Sequence, residues 1–217
     1  MSSTESEVRS GAHAAADRAE PAPAAVSPGN PALLGITGFL PGGLTLGLWL
    51  IGYLPTALPG GMIAAVSVSS GLFLLIATLW AARLEASTVS AVLGVYAAFW
   101  LSFGFMLMGL SNKWFGLTSP DQAPQVLAPY TLAWLIVFVF MTIATLRLPL
   151  VFTAGFVFVD VTFALVYANV VTGTSVFATI AGFTTFVFCA VYAYILFDGL
   201  RQDLGAPELP MGAPILR

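Results

Sequence analysis

One carboxylate stands inside the apolar text of this chain: Asp160, in Val157-Phe-Val-Asp-Val-Thr-Phe-Ala164. A carboxylate at bilayer depth costs roughly 2.5–3.5 kcal/mol on insertion scales, so such a residue usually faces the protein interior or a wet pathway. Thr153, Asp160 and Tyr167 recur at seven-residue spacing and share one stripe of a helix. That stripe is a candidate path for a substrate or a proton. A protonated Asp160 can donate a hydrogen bond to an incoming carboxylate, whereas an ionised one repels it. The competing reading is a carboxyl held by hydrogen bonds at a helix–helix contact. Few other side chains could do chemistry. Cys189 is the single cysteine, His13 the single histidine, in a polar stretch, and Lys113 the single lysine, beside Asn112. A disulfide framework, most zinc and haem sites, and a Schiff-base lysine inside a helix are therefore excluded. No catalytic constellation, metal or cofactor is expected, and the chain reads as a non-enzyme.

The elements that would carry these residues are membrane helices. Hydrophobic residues make up 59% of the 217 and charged residues 8%, against about 25% charged in an ordinary soluble domain. So few charges cannot cover a water-exposed surface, and barrels, which alternate apolar and polar residues, do not reach this composition. With Lys+Arg 7 against Asp+Glu 10, no basic patch exists to neutralise phosphates, so nucleic acid is not an expected partner. Crossing a bilayer takes roughly 20 apolar residues, and six such spans are expected near 32–54, 61–82, 88–110, 127–146, 149–171 and 174–197. The fold class is an all-α membrane protein. Residues 1–29, rich in Ala, Ser, Glu and Pro, read as a disordered tail and not as a cleavable leader. Residues 30–199 form the six-helix domain and 200–217 a second tail.

Six spans put both ends on one side. That side holds Arg9, Arg18, Arg83, Arg147, Arg201 and Arg217, and the other only Lys113. The excess of positive charge predicts that both ends are cytoplasmic and that the protein lies multi-pass in the plasma membrane, with lipid as a partner. The long loop at 111–129 carries Trp114 and Phe115 at headgroup level.

The first span is unusual. Gly38, Gly42, Gly43 and Gly47 give two GxxxG spacings, which let another backbone approach closely. These are expected to be helix-packing residues, most simply between neighbouring protomers of a ring. Pro41 interrupts the span and frees backbone groups, which a membrane tolerates only where they are buried in protein or line a cavity. Hydroxyls also recur in the spans: Ser67 and Ser70 on one face of the second, and Thr131, Thr142 and Thr145 near one face of the fourth. The favoured reading for each is close packing and bonding to its own helix.

Asn30-Pro-Ala-Leu-Leu-Gly-Ile-Thr-Gly-Phe39 resembles the Asn-Pro-Ala-Pro-Leu-Gly signature that opens members of the acetate uptake transporter family, the succinate–acetate permease relatives. Further resemblances follow in order: Tyr96-Ala-Ala-Phe-Trp-Leu101, Ala123-Pro124, Thr145-Leu-Arg147, Phe163-Ala-Leu165 and Leu209-Pro-Met-Gly212. The resemblance implies a six-helix protomer in a ring, commonly a homohexamer, with a channel-like or proton-linked path in each protomer for acetate and, in some members, succinate. It implies a pathway constriction at Phe39, Tyr96 and Val159, with Asn30, beside the start of the first helix, joining Thr153, Asp160 and Tyr167 as candidates for the substrate or proton path. Departures are present too. Leu33 replaces a proline, Leu74 stands where the family's second span carries a Gln, the turn after that span is reduced to Arg83-Leu-Glu-Ala-Ser87, and Pro41-Gly42-Gly43 has no expected counterpart.

The leading function is passage of small monocarboxylates. With no Lys or Arg in the spans, an anion would be handled by dipoles, hydroxyls and amides. The alternative is a non-transporting membrane partner or sensor on the same scaffold. The charge asymmetry makes a direct prediction. With Cys189 replaced, a cysteine at Ser10 resists an impermeant maleimide applied from outside, and one at Ser119 reacts; the reverse labelling pattern overturns the six-span topology.

Overall fold

The computed structural model describes residues 29–55 and 59–216. Residues 1–28 of the tail expected at 1–29, with His13, Arg9 and Arg18, lie outside the described residues, as does Arg217. Six helices long and apolar enough to cross a membrane are present among the described residues: α1 Pro31–Leu50, α2 Gly60–Arg83, α3 Ser87–Ser111, α4 Ala123–Thr145, α5 Leu150–Thr172 and α6 Ser175–Asp203.

Local chemistry sets the boundaries. The Asn30 carboxamide accepts from the Ala32 N–H at 3.0 Å, and Pro31 occupies the first helical position, where a missing N–H is harmless. α1 stops at Leu50, short of the expected 54, because Gly52 turns the chain with φ +81°. α4 starts earlier than expected. The Gln122 side-chain carbonyl accepts from the N–H groups of Thr118 and Ser119 at 2.8 and 3.2 Å, and a 3-10 turn, Pro120–Gln122, leads into Ala123. Gly173, left-handed at φ +68°, ends α5. The α4–α5 hairpin at 146–149 is tight, as Arg147 and Pro149 imply.

α6 extends past the expected 197 to Asp203 because the segment after it folds back. The buried Asp198 carboxylate accepts from Gln202 Nε2 at 2.6 Å and from the Leu209 N–H at 2.7 Å. The Tyr194 hydroxyl donates to the Pro210 carbonyl at 3.0 Å. The Val151 N–H donates to the Met211 carbonyl at 3.1 Å, and the Leu216 N–H to the Leu146 carbonyl at 2.9 Å. Residues 204–216 therefore strap the foot of α6 to the α4–α5 hairpin.

Neighbouring helices pack in the order α3, α2, α1, α6, α5, α4, and the circle closes only loosely between α4 and α3. Rings fill that opening: Phe99 lies 5.5 Å from Trp134, 5.8 Å from Phe138 and 5.0 Å from Phe163, centroid to centroid. Such pairs each add about 0.5–1.5 kcal/mol beyond area burial.

α1 runs on through Pro41, and the turn around it is bonded from α2. The Ser70 hydroxyl accepts from the Gly42 N–H at 3.1 Å and donates to the Gly38 carbonyl at 2.8 Å, with the Phe39 carbonyl at 3.1 Å. It ties α2 to the turn of α1 that holds Pro41. α2 is wound as a π-helix over Ala65–Leu72. The wider turn keeps Met62, Val66, Ser70 and Leu74, all buried and four apart, on one side.

The α1 glycines do not await a neighbouring protomer, which corrects the expectation for them. A Cβ on Gly38 would meet Phe73 Cβ at 2.5 Å, and one on Gly42 the Ser70 Cβ at 2.9 Å, both on α2. A Cβ on Gly43 would meet Cys189 Sγ at 2.6 Å, and one on Gly47 the Phe186 ring at 2.6 Å, both on α6. The close approach they permit is taken up inside the protomer. Ser70→Ala is accordingly expected to cost about 1–3 kcal/mol of stability by removing buried hydrogen bonds between α2 and α1. Gly42→Leu is expected to lose folded protomer and not merely to split an assembly; the melting temperature and size-exclusion profile of the purified variants check both.

Candidate functional site

The residues Phe39, Tyr96 and Val159 come together at the centre of the bundle, and all three are buried. Their helices explain this. Phe39 sits within the turn of α1 that the Ser70 hydroxyl bonds from α2. Tyr96, Phe99, Trp100 and Phe103 form a stripe on α3 at three- and four-residue spacing. Val159 lies between Phe156 and Phe163 on the inward stripe of α5. The Phe39 ring lies 5.1 Å from Tyr96, 5.6 Å from Trp100 and 5.0 Å from Tyr192, each edge to face, and 5.9 Å from Phe188.

These rings enclose a cavity of only about 10 Å³, lined also by Leu46, Phe138 and Thr162. A larger cavity lies on either side. One, about 290 Å³, is near the ends of the chain, with Ala32, Ile195 and the hairpin residues Leu148 and Pro149 in its wall. The other, about 420 Å³, lies toward the 111–119 loop, with Ser111, Leu127 and Asn169 at its rim. Phe39 and Tyr96 line both the small cavity and the tail-side one, while Leu46, Phe99, Thr162 and Phe163 line both the small cavity and the loop-side one. The three are thus in series, and the aromatic cluster is the narrowest point between them. Among the described residues no charged side chain lines any of the three.

Polar groups near the narrow point are paired across helices. The Tyr96 and Tyr192 hydroxyls lie 2.7 Å apart. The Thr162 hydroxyl is 2.7 Å from that of Thr184 and 2.8 Å from the Phe158 carbonyl. On the loop side, the Tyr130 hydroxyl is 3.0 Å from that of Ser102.

The remaining predicted residues lie elsewhere. Asp160 is half-buried against α4, where its Oδ2 accepts from the Thr142 hydroxyl at 2.6 Å and Oδ1 has no partner among the described residues. Thr153 is buried and donates to the Thr145 carbonyl at 2.8 Å, again across the α4–α5 contact. Asp160, Thr153 and the half-buried Tyr167 are absent from the walls of all three cavities. Asn30 caps α1 and is exposed. Leu74, at the position where the resemblance expects a Gln, is an apolar part of the tail-side wall.

Sequence reasoning missed Tyr192, Trp100, Phe99 and Phe138. The three- and four-residue spacing of rings on α3 was a usable signal; nothing local marks Tyr192, whose partners lie on α1 and α3. Because Asp160 contacts α4 and no cavity, the pH–flux curve of Asp160→Asn is expected to superimpose on that of the wild type in reconstituted vesicles. A curve flattened on the alkaline side restores Asp160 to the path.

Comparison with known proteins follows the same lines. The sequence profile of the GPR1/FUN34/yaaH family matches residues 15–205. The structure is similar to that of the bacterial acetate channel SatP, with a TM-score of 0.74 and 26% identity, covering 85% of this chain and 99% of that one. The chain is 29% identical over 141 residues to Ammonia transport outward protein 2 of Saccharomyces cerevisiae, covering 63% of this chain and 49% of the yeast protein, so it spans about half that relative's length. It is 27% identical over 186 residues to an uncharacterized protein of Methanothermobacter thermautotrophicus, covering 83% of this chain and 90% of the archaeal one.

Proposed function

The chain belongs to the GPR1/FUN34/yaaH family, and we propose that it is a membrane transporter or channel that moves small monocarboxylates, acetate first, along a path inside each protomer. The observation that carries this is the series of two cavities joined through the ring-lined narrow point at Phe39, Tyr96 and Val159. A path without charge suits a small weak acid, whose protonated form has no charge to strip. Wide ion channels use rings of charge instead, and none among the described residues lines these cavities. The narrow point acts as a gate by bulk and apolarity. Its closed state makes the permeant displace rings, which selects for small size and leaves succinate a poor substrate of the unmodified protein. The same uncharged lining would accommodate neutral ammonia, the cargo named for the yeast relative.

The proposal extends to the assembly. Both ends of the chain face the cytoplasm, the protein resides in the plasma membrane, and protomers associate as a ring, a homohexamer, through their apolar outer faces. Val68, Ile76 and Leu79 of α2, with Ile136, Phe140 and Ile143 of α4, are exposed and supply such faces to neighbours or lipid. The alternative, a non-transporting partner or sensor, takes the closed narrow point as permanent.

Flux of labelled acetate into proteoliposomes tests the reading. The wild type is expected to exceed protein-free vesicles, and Phe39→Ala to raise acetate flux severalfold and admit succinate. A Phe39→Ala protein that folds yet shows unaltered flux and selectivity rejects the gate. Wild-type flux no greater than that of empty vesicles favours the non-transporting alternative.

A further inference from the structure

The chambers on the two sides of the narrow point differ in what their walls offer. Polar atoms open on the loop-side cavity of about 420 Å³ and not on the tail-side one. The hydroxyls of the loop-side wall have no proton left to give, since each carries a single O–H donor. Ser111 donates to the Leu107 carbonyl, Thr131 to the Leu127 carbonyl and Thr162 to the Phe158 carbonyl, each at 2.8 Å. Ser102 donates to the Phe99 carbonyl at 3.0 Å, which leaves Tyr130 to donate to Ser102, also at 3.0 Å. The Trp49 indole N–H is unpaired, but its nitrogen is buried and closed off from the cavity. Asn169 is different. Its carboxamide carries two N–H donors and a carbonyl, is half-buried, and has no hydrogen-bond partner among the described residues. It lines the cavity with Thr162, Phe163, Val166 and Val170, which share one face of α5 by their spacing. Thr162, about 10 Å along the helix from Asn169, also lines the narrow cavity.

We propose that Asn169 is the specificity-determining residue of the loop-side chamber: its side-chain N–H groups take the carboxylate of a small monocarboxylate, acetate first, before the molecule meets the narrow point. This rests on the monocarboxylate reading above. Among the described residues of that wall, these N–H groups are the unspent side-chain donors that a ligand can reach, so a carboxylate there is served by Asn169. The hydroxyls turn only lone pairs to the cavity, which do not attract an anion. The acetate methyl group is left to Leu46 and Phe99, which line both this chamber and the narrow cavity. The carboxamide carbonyl can instead accept from an ammonium ion, and a change of charge at the same position separates the two uses. Asn169→Asp keeps the shape, removes both donors and adds a negative charge.

Dissociation constants from salt-dependent shifts of melting temperature, measured on the detergent-purified full chain at pH 7 and one ionic strength, test this independently of flux. Sodium acetate, with sodium chloride as the reference, is expected to stabilise the wild type saturably. Asn169→Leu is expected to weaken acetate by about tenfold or more, the loss of a hydrogen bond to a charged group. Asn169→Asp is expected to lose acetate as well and to respond to ammonium chloride instead. Thr131→Val, which removes a hydroxyl whose proton is spent on its own helix, is expected to change acetate binding by less than about twofold. The proposal is overturned if acetate does not stabilise the wild type, or if the folded Asn169 variants bind acetate as the wild type does. It is equally overturned if Thr131→Val loses as much as Asn169→Leu, or if ammonium chloride stabilises the wild type as strongly as sodium acetate. Wild-type acetate flux with binding that ignores Asn169 removes this site and leaves the transport reading standing; Asn169-dependent binding without flux does the opposite.

Discussion

A backbone N–H or C=O inside a membrane must find a partner within the protein. In this chain Pro41 lies inside the first helix, and the turn around it is bonded from outside. One hydroxyl, Ser70, bridges Gly42 and Gly38 from a different helix. To reach them, α2 must lie nearly against α1, which is why Gly38 and Gly42 carry no side chain on that side. To place Ser70 in line with Met62, Val66 and Leu74, α2 adopts a wide π-helical turn. Gly43 and Gly47 serve the same end toward α6. The turn fixed in this way carries Phe39, so an apparent weakness in the first helix determines where the narrowest point of the molecule lies.

The second organising fact is an omission in the backbone packing. α3 approaches α4 little, and aromatic side chains close the interval instead. A wall of rings differs from a wall of backbone. It narrows the space to about 10 Å³ with side chains alone. Hydroxyls at the same level are mutually bonded, as in Thr162 with Thr184 and Tyr96 with Tyr192. They reduce the penalty of burying polar atoms there without introducing charge.

Much of this was legible in the sequence. Composition and span length specify six helices, because bilayer thickness imposes a length that apolar runs must meet. The glycine spacings and Pro41 mark α1 as crowded, and the family resemblance names Phe39, Tyr96 and Val159. What the sequence does not reveal is partnership. The α1 glycines could have faced another protomer or another helix, since GxxxG encodes closeness and not identity. Asp160 was open to both a pathway and a packing reading, and only the position of Thr142 on α4 shows which neighbour its carboxyl meets. Tyr192 and the strap at 204–216 depend on hydrogen bonds between segments far apart in the chain, which leave no periodic trace. The late end of α6 is a case in point: Arg201-Gln202-Asp203 reads as a polar tail, yet Asp198 and Gln202 bond one turn apart and anchor Leu209.

Order of synthesis gives that strap a further meaning. Residues 204–216 leave the ribosome after all six helices, yet they hold the hairpin whose Leu148 and Pro149 form part of the tail-side mouth. During insertion, therefore, the six helices can assemble while that rim remains unfastened, and it acquires its final shape only when Met211 and Leu216 arrive to bond Val151 and Leu146. The fastening step therefore comes after α6 has been made, and the rim is the last part of the described protomer to be set.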